Sequence, residues 1–315
     1  MAGLRARMGQ ERDVQTTIRS SVSFDGVGLH SGQPVRMTVL PAVAEHGIWF
    51  KRTDIHLGDA LVPARWNAVV PSSLCTLLRN PAGVTVSTVE HVMAALAGCG
   101  IHNAMIEIDG PEVPILDGSA LPFVQAFLAR GVRMLDAPLR LIEVLRPVRH
   151  ETGAAWAELS PAQEPLISFH ISFPDAAIGT QEKTMGLANG AFVRELCDSR
   201  TFCRQADVDF MLANGLAQGG DPGRNAVVFD GPDVVSPGGL RHADEPVRHK
   251  MLDAVGDLAL AGFPILGHYR GMRAGHGITN GLLRALFADP TAFRHVECDA
   301  NQLRRMPGSH VSRLE

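Results

Sequence analysis

The spacing of His249 and Asp253 constrains the fold of this chain more than any other sequence feature. Residues four apart on a helix stand on one face, so both side chains can reach a single metal ion. The same spacing also suits an ordinary surface pair between a histidine and a carboxylate. A metal site needs a third ligand, and His91, the best candidate, lies in a distant part of the chain. The metal hypothesis therefore requires two remote segments to converge.

Glu90 stands directly before His91 and can be read in two ways. As a general base, it would take a proton from a water molecule at the metal. As part of a capping box that starts at Ser87, it would reach back to the backbone of the helix N-terminus and point away from that water. His91 alone would be interpreted as a packed or solvated residue. Both interpretations of Glu90 stay open at this level.

His276 lies between two glycines, and Asp257 lies one helical turn beyond Asp253. Flanking glycines permit unusual backbone angles and close approach, which suits a general acid, although a simple turn histidine fits the same pattern. Asp257 could orient His276 and keep it protonated. The alternative for Asp257 is a solvated carboxylate on the outer face of the helix.

Two further residues could stabilise negative charge that develops during hydrolysis. Thr201 could donate its hydroxyl to an oxyanion, and Lys250 could do the same with its ammonium group or pair with a phosphate. Neither residue is distinctive by itself, because most helical lysines are solvated. Together the eight residues supply three zinc ligands, a base, an acid and charge-stabilising groups.

Composition limits the class of protein. The 315 residues are enough for two domains, and the 45% hydrophobic content is typical of a globular protein. The net charge of −4 gives no reason to expect nucleic acid binding. The longest nearly apolar run, 258–267, is too short to span a bilayer, and the polar segment 1–14 resembles a disordered tail, not a signal peptide. We therefore expect a cytoplasmic protein without an integral membrane segment.

The five cysteines are odd in number and form no C-x-x-C motif. This argues against a disulfide framework and against a thiolate zinc site. A metal would have to take histidine and carboxylate ligands. Zinc suits such a site, and Fe²⁺ also fits it.

Strand-like and helix-like patterns alternate in two halves, which predicts an α+β fold. Predicted domains cover 15–135 and 136–301, followed by a C-terminal tail over 302–315. Strands are predicted at 36–40, 47–51, 103–108, 113–116, 139–145, 155–159, 166–172, 226–229 and 264–269. Helices are predicted at 87–97, 121–129, 206–213, 244–261 and 276–288. The Gly-rich segment 214–223 is interpreted as an exposed loop, and no sequence repeat is apparent.

Several ungapped blocks, in order, resemble the zinc-dependent UDP-3-O-acyl-N-acetylglucosamine deacetylases of lipid A biosynthesis. The resemblance runs from about Thr16 to Asp289. The matching blocks are 25–32, 50–54, 73–76, 87–96, 114–119, 199–202, 247–257, 275–280 and 282–286.

The resemblance implies a role for each of the eight residues. The family's zinc ligands fall on His91, His249 and Asp253, its base on Glu90 and its acid on His276. Its oxyanion-assisting threonine, active-site lysine and histidine-orienting aspartate fall on Thr201, Lys250 and Asp257. It also implies two similar sheet-plus-helix domains, each with a small insert, packed helix-to-helix around the active site.

The expected reaction is release of acetate from the N-acetyl group of a UDP-linked, 3-O-acylated glucosamine by a monomeric enzyme. Two departures concern substrate contacts: Cys203 stands where the family usually has glycine, and the loop 219–225 is one residue longer than expected. Two other functions stay open. One is a catalytically silent zinc protein that binds UDP-sugars, and the other is a zinc amidohydrolase with a non-lipid substrate.

Overall fold

The computed structural model describes residues 14–309 and residue 311. Of the predicted N-terminal tail over 1–14, only Val14 falls within these residues, and it begins the first strand. The described chain mixes helices with several small sheets, which confirms the predicted α+β class. Within it, no helix is both long enough and apolar enough to cross a membrane.

The chain forms twenty-one strands within the described residues. In the first part they are β1 Val14–Ile18, β2 Val22–Val27, β3 Pro34–Pro41, β4 Ile48–Arg52, β5 Leu61–Pro63, β6 Val69–Val70, β7 Leu77–Arg79, β8 Thr85–Ser87, β9 Ala104–Ile108 and β10 Val132–Pro138. In the second part they are β11 Arg140–Val144, β12 Val148–Thr152, β13 Ala155–Ser160, β14 Leu166–Ser172, β15 Thr180–Gly186, β16 Phe202–Arg204, β17 Val227–Asp230, β18 Asp233–Val234, β19 Ile265–Leu266, β20 His268–Met272 and β21 Phe293–Glu297.

The helices fall between these strands. They are α1 Glu90–Gly98, α2 Leu121–Arg130, α3 Ala191–Glu195, α4 Gln205–Ala213, α5 Glu245–Ala259, α6 His276–Ala288 and α7 Ala300–Leu303, with a 3₁₀ turn over Trp66–Ala68.

Two five-stranded sheets have the same topology. The first has the order β2-β3-β9-β4-β5, and the second has the order β12-β13-β20-β14-β15. In each sheet only the third and fourth strands of this order are parallel, as β9 with β4 and β20 with β14. The remaining neighbours are antiparallel. The described structure therefore repeats one strand order although the sequence itself shows no repeat; only the family resemblance implied two similar units.

Helices α1 and α5 make the most extensive helix–helix contact of the described chain. Almost every residue of α1 is buried, as expected of a helix that is apolar on all sides. Gly256 of α5 lies against the backbone of Glu90, where a Cβ atom would come within 2.0 Å of the carbonyl oxygen. Glycine is therefore needed at 256 for the two backbones to approach this closely. Through this contact α1 and α5 bring distant parts of the chain together.

Smaller sheets complete the fold. Strands β6-β7-β8 lie in the chain between β5 and α1, and β16-β17-β18 lie between β15 and α5. Strand β1 pairs antiparallel with β10 from Val14 opposite Pro138 to Ile18 opposite Val132, with a shift of register between Val14 and Thr16. The domain boundary predicted at 135/136 falls inside β10, and the division into two domains stays a prediction.

Several predicted elements need correction. Residues 113–116 form no strand, because Pro114 makes only an isolated bridge to Gly28. The helix predicted from 87 begins at Glu90, since Ser87 still belongs to β8. Within the predicted C-terminal tail, Leu303 and Met306 are buried in a second apolar cluster beside Leu141.

The loop predicted over 214–223 packs partly against the first half of the chain. The backbone N–H groups of Gln218 and Gly219 donate to the carbonyls of His30 and Leu29 at 3.2 and 3.0 Å. A Cβ atom at Gly219 would lie 2.1 Å from the carbonyl oxygen of Gly28. Glycine at 219 thus permits a backbone contact between the two halves.

Candidate active site

His91, His249 and Asp253 converge at the contact between α1 and α5. One potential ligand atom from each lies within 4.8 Å of the others, and all three side chains are buried. The Nε2 atoms of His91 and His249 lie 3.5 and 3.3 Å from Oδ1 of Asp253. The two imidazole rings are nearly perpendicular, with centroids 5.1 Å apart. The convergence that the metal hypothesis required is therefore present.

The environment of Asp253 fits a metal ion. Its Oδ1 atom is buried and has no hydrogen-bond partner among the described residues. A buried carboxylate oxygen without a partner is costly, and both facing imidazoles offer Nε2, an atom that can coordinate a metal. Two histidines and one carboxylate are also a common protein ligand set of catalytic zinc, which leaves a coordination position open.

Electrostatics favour the forms that bind metals. Burial lowers the pKa of His249 to about 4, so this imidazole is neutral near pH 7. Its Nδ1 atom faces the carbonyl oxygen of Ser199 at 3.0 Å, which fixes the ring and directs Nε2 towards Asp253. Burial alone would raise the pKa of Asp253, but His249 and Lys250 lower it well below its ordinary value. Asp253 is therefore ionised.

Lys250 contacts the site through Asp253. Its Nζ atom donates to Oδ2 of Asp253 at 2.6 Å, and this oxygen is not the one that faces the imidazoles. Burial would lower the pKa of Lys250, but the Asp253 carboxylate raises it above its ordinary value. The contact leaves Oδ1 free and restrains the carboxylate. The predicted contact of Lys250 with an oxyanion or a phosphate stays a prediction.

Glu90 does not form the capping box that the sequence permitted. It is the first residue of α1, the residue before it is Val89, and no side chain caps this helix end. Its Oε2 atom accepts a hydrogen bond from the backbone N–H of Thr76 at 3.1 Å, and its Oε1 atom lies 3.7 Å from Nε2 of His276. Burial raises the pKa of Glu90. The carboxylate thus points into the site.

The residue two positions before Glu90 has a strained backbone. Thr88 has a φ of +58°, a region that β-branched residues rarely adopt. Its hydroxyl donates to Oε1 of Glu112 at 3.1 Å, and the same carboxylate accepts the backbone N–H groups of His30 and Ser31. Strain of this kind costs about 1–3 kcal/mol and is common at functional sites. Here it turns the chain so that Glu90 and His91 enter the site.

His276 and Asp257 form the second charged pair of the site. Nδ1 of His276 lies 2.8 Å from Oδ2 of Asp257. Asp257 is buried, so it is not the solvated carboxylate on the outer face of the helix that the sequence also permitted. Burial alone would lower the pKa of His276, but Asp257 and Glu90 raise it to about 9. His276 is therefore protonated near pH 7, and its Nε2 atom faces Glu90.

The glycines beside His276 do not explain its position. Gly275 has a φ of −114°, which other residues adopt readily, and a Cβ atom at Gly275 or Gly277 would meet nothing within 4 Å. His276 is placed instead as the first residue of α6, directly opposite Asp257 of α5.

Thr76 connects Glu90 to Asp257, a contact that the sequence does not predict. Its backbone N–H contacts Glu90, and its hydroxyl donates to Oδ1 of Asp257 at 2.6 Å. Together with the contacts of His276 to Asp257 and Glu90, these bonds close a ring of four residues. No short-range signal could reveal this contact, because Thr76 and Asp257 are 181 positions apart.

Among the described residues, the Thr201 hydroxyl forms no hydrogen bond with the other proposed site residues. Its backbone N–H donates to Gly118 at 2.7 Å, and its carbonyl accepts from Val227 at 2.8 Å. It is half-buried and lies two residues beyond Ser199, whose carbonyl holds His249. Cys203 follows in β16 and is half-buried, so its side chain is accommodated there.

Comparisons with known proteins identify the sequence family that the chain matches. A sequence model of the UDP-3-O-acyl N-acetylglycosamine deacetylase (LpxC) family matches residues 15–288. The chain is 48% identical over 280 residues to the UDP-3-O-acyl-N-acetylglucosamine deacetylase of Phenylobacterium zucineum, covering 89% of this chain and 95% of that protein. It is 43% identical over 303 residues to the enzyme of the same name from Shewanella oneidensis, covering 94% and 98%.

The fold and the site together define a metal-dependent hydrolase class, in which a buried His₂Asp cluster adjoins a carboxylate and a charged imidazole. The match over most of the chain makes the assignment specific: this chain belongs to the UDP-3-O-acyl N-acetylglycosamine deacetylase family.

Proposed function

We propose that this chain hydrolyses the N-acetyl group of UDP-3-O-acyl-N-acetylglucosamine and releases acetate and the free sugar amine, a step of lipid A biosynthesis. Its relatives carry the name of this activity. The observation that most supports the proposal is the buried, unpartnered oxygen of Asp253 between two imidazoles, next to an acid–base pair. We further propose that the ion is zinc, that the enzyme is monomeric and that it acts in the cytoplasm.

We assign His91, His249 and Asp253 as the metal ligands. A divalent ion held there would polarise the acetyl carbonyl and lower the pKa of a water molecule. Lys250 keeps the carboxylate of Asp253 oriented through the contact with Oδ2. These three protein ligands would leave one coordination position for water or substrate. Glu90 and His276 adjoin the ligand cluster, with Nε2 of His276 3.7 Å from Oε1 of Glu90 and 4.0 Å from Oδ2 of Asp253.

Glu90 and His276 divide the proton transfers. Glu90 is the general base, because its carboxylate is buried and fixed by Thr76. His276 is the general acid, because Asp257 and Glu90 keep it protonated. As the C–N bond breaks, His276 gives its Nε2 proton to the departing amine. Thr201 remains our candidate for a hydroxyl donor to the oxyanion.

Metal analysis combined with activity tests this function. We expect about one metal ion per chain, loss of acetate release after chelation, and recovery when Zn²⁺ is added back. Adding Fe²⁺ instead of Zn²⁺ to the chelated protein compares the rate of acetate release that each metal supports. Metal binding without acetate release would favour the silent UDP-sugar binder, and equal rates on a substrate without its 3-O-acyl chain would favour a non-lipid amidohydrolase.

A further inference from the structure

A cavity lies between the two halves of the described chain, apart from the proposed metal ligands. It has a volume of about 150 Å³. Most of its wall is apolar and comes from α1, α5 and the strands of the second half. Its apolar lining includes Leu96, Ala97, Leu159, Leu166, Leu258 and Ile265. None of the eight proposed site residues lines it.

The cavity and the metal site occupy opposite faces of α5. His249, Asp253 and Asp257 follow each other at intervals of four residues, which places them on one side of the helix. Leu258 and Ala259 line the cavity. At 3.6 residues per turn, these two positions lie on the far side of the helix from Asp253. A molecule in the cavity would therefore pack against the back of the helix that carries two metal ligands.

Most polar groups of the cavity wall already have partners. Gln15 donates to Glu45 at 2.6 Å, and Glu45 also pairs with Arg140. Asn103 is held by Gln15 and donates to its side-chain oxygen at 3.0 Å. His102 accepts the backbone N–H of Thr16 at 3.1 Å. These groups therefore offer little free hydrogen-bonding capacity to a ligand.

Arg65 is the exception. Its guanidinium lies beside Gly262, where a Cβ atom would overlap it, and close to Gly47. Among the described residues no carboxylate or carbonyl accepts a hydrogen bond from this side chain, and its Cζ atom lies 5.9 Å from the ring centroid of Phe263. Burial lowers the pKa of Arg65 below its ordinary value. The cavity thus combines an apolar wall with one half-buried cation that lacks an anionic partner.

We propose that this cavity is a binding site for a small apolar carboxylate, whose carboxylate pairs with Arg65 and whose hydrocarbon part fills the space against α1 and α5. Ligand sites typically combine an apolar wall with a few polar groups that fix orientation. Arginine suits a carboxylate because its planar fork can donate two parallel hydrogen bonds. A cavity of this size holds a body of about six carbon atoms, comparable to benzene.

Hexanoate and 1-hexanol, compared on the unmodified metal-loaded protein by isothermal titration calorimetry, provide the first test. The two molecules share their hydrocarbon part and differ in charge. We expect saturable binding of hexanoate with about one site per chain, and binding of 1-hexanol about tenfold weaker or more, because it lacks the charge-assisted bonds. Absence of saturable hexanoate binding, or equal binding of the two, overturns the proposal.

Variants locate the site. Arg65→Gln should remove the preference for hexanoate over 1-hexanol, whereas Arg79→Gln, a change at an exposed arginine of the same half, should not. Ala97→Met should fill the cavity and abolish binding of both molecules. Hexanoate binding that survives both Arg65→Gln and Ala97→Met would place the ligand elsewhere and refute the assignment. Should a variant not fold, the comparison on the unmodified protein decides.

Discussion

The two five-stranded sheets share one strand order, yet the helices beside them contribute differently to the site. Helix α1 supplies only Glu90 and His91, both from its first turn, and the remainder of the helix is apolar and buried. Helix α5 supplies His249, Asp253 and Asp257 from successive turns, and α6 adds His276.

This difference shows how one scaffold, present twice, can give an asymmetric site. A helix can present a row of polar residues at intervals of four only if a partner surface satisfies them. For α5 the partners are the first turn of α1, the hydroxyl of Thr76 and the N-terminus of α6. Helix α1 has no such row of polar residues, and it packs against helices α5 and α2. We therefore expect changes at the ligand positions His249 and Asp253 of α5, and at His91 opposite them, to remove the metal. Changes to Glu90 or His276 should instead impair proton transfer.

The largest effect is expected for Asp253→Ala, which removes the carboxylate that faces both imidazoles. Metal binding and acetate release should both fall below detection, because two histidines alone hold zinc weakly. Metal content and acetate release are the measurements. His91→Ala is the matched change in the other half and should also lose the metal. A stoichiometric metal content in Asp253→Ala would contradict the assigned site.

A smaller loss is expected for His276→Ala and Glu90→Gln, which belong to different halves but act as acid and base. Each should lower kcat about a hundredfold or more while metal content stays unchanged. Steady-state kinetics on metal-quantified samples measure this. Near-normal turnover of either variant would remove that residue from its role.

The sequence predicted much of the site but little of how it is assembled. The spacing of His249, Asp253 and Asp257 identifies one helical face without any structural information. That His91 joins His249 and Asp253 was predicted from its residue type and from the family resemblance. No local sequence pattern indicates a contact between segments this far apart in the chain. Thr76 was missed for the same reason, because an isolated threonine in a loop has no pattern.

The fold shows the same limit. Long periodic helices such as α5 and α6 were predicted within one or two residues of their bounds. Short strands such as β6 and β18, with two residues each, were missed because they are too short to show a pattern. Residues 113–116 have an apolar strand-like composition, but Pro114 lacks the N–H group that a continuous ladder requires.

The pH profile should distinguish the contributions of the two halves. Activity requires ionised Glu90 and protonated His276, so kcat/KM should rise as pH passes the raised pKa of Glu90 and fall as it passes about 9. In Asp257→Asn, burial of His276 is no longer opposed by Asp257, so its pKa falls. The alkaline limb should then move to lower pH in kcat/KM profiles. An unshifted limb would mean that another group controls it.

The smallest effect is expected for Thr76→Val, which keeps the backbone bond to Glu90 but removes the hydroxyl from Asp257. The carboxylate of Asp257 then loses one of its two fixed contacts, so His276 is held less firmly. We expect kcat to fall about tenfold with KM and metal content little changed, since one hydrogen bond to a charged group contributes about 1.5–3 kcal/mol at most. Thr76→Ser restores the hydroxyl and should recover most of the rate. If valine turns over normally and serine is slow, the contact of the methyl group, and not the bond to Asp257, is what Thr76 provides.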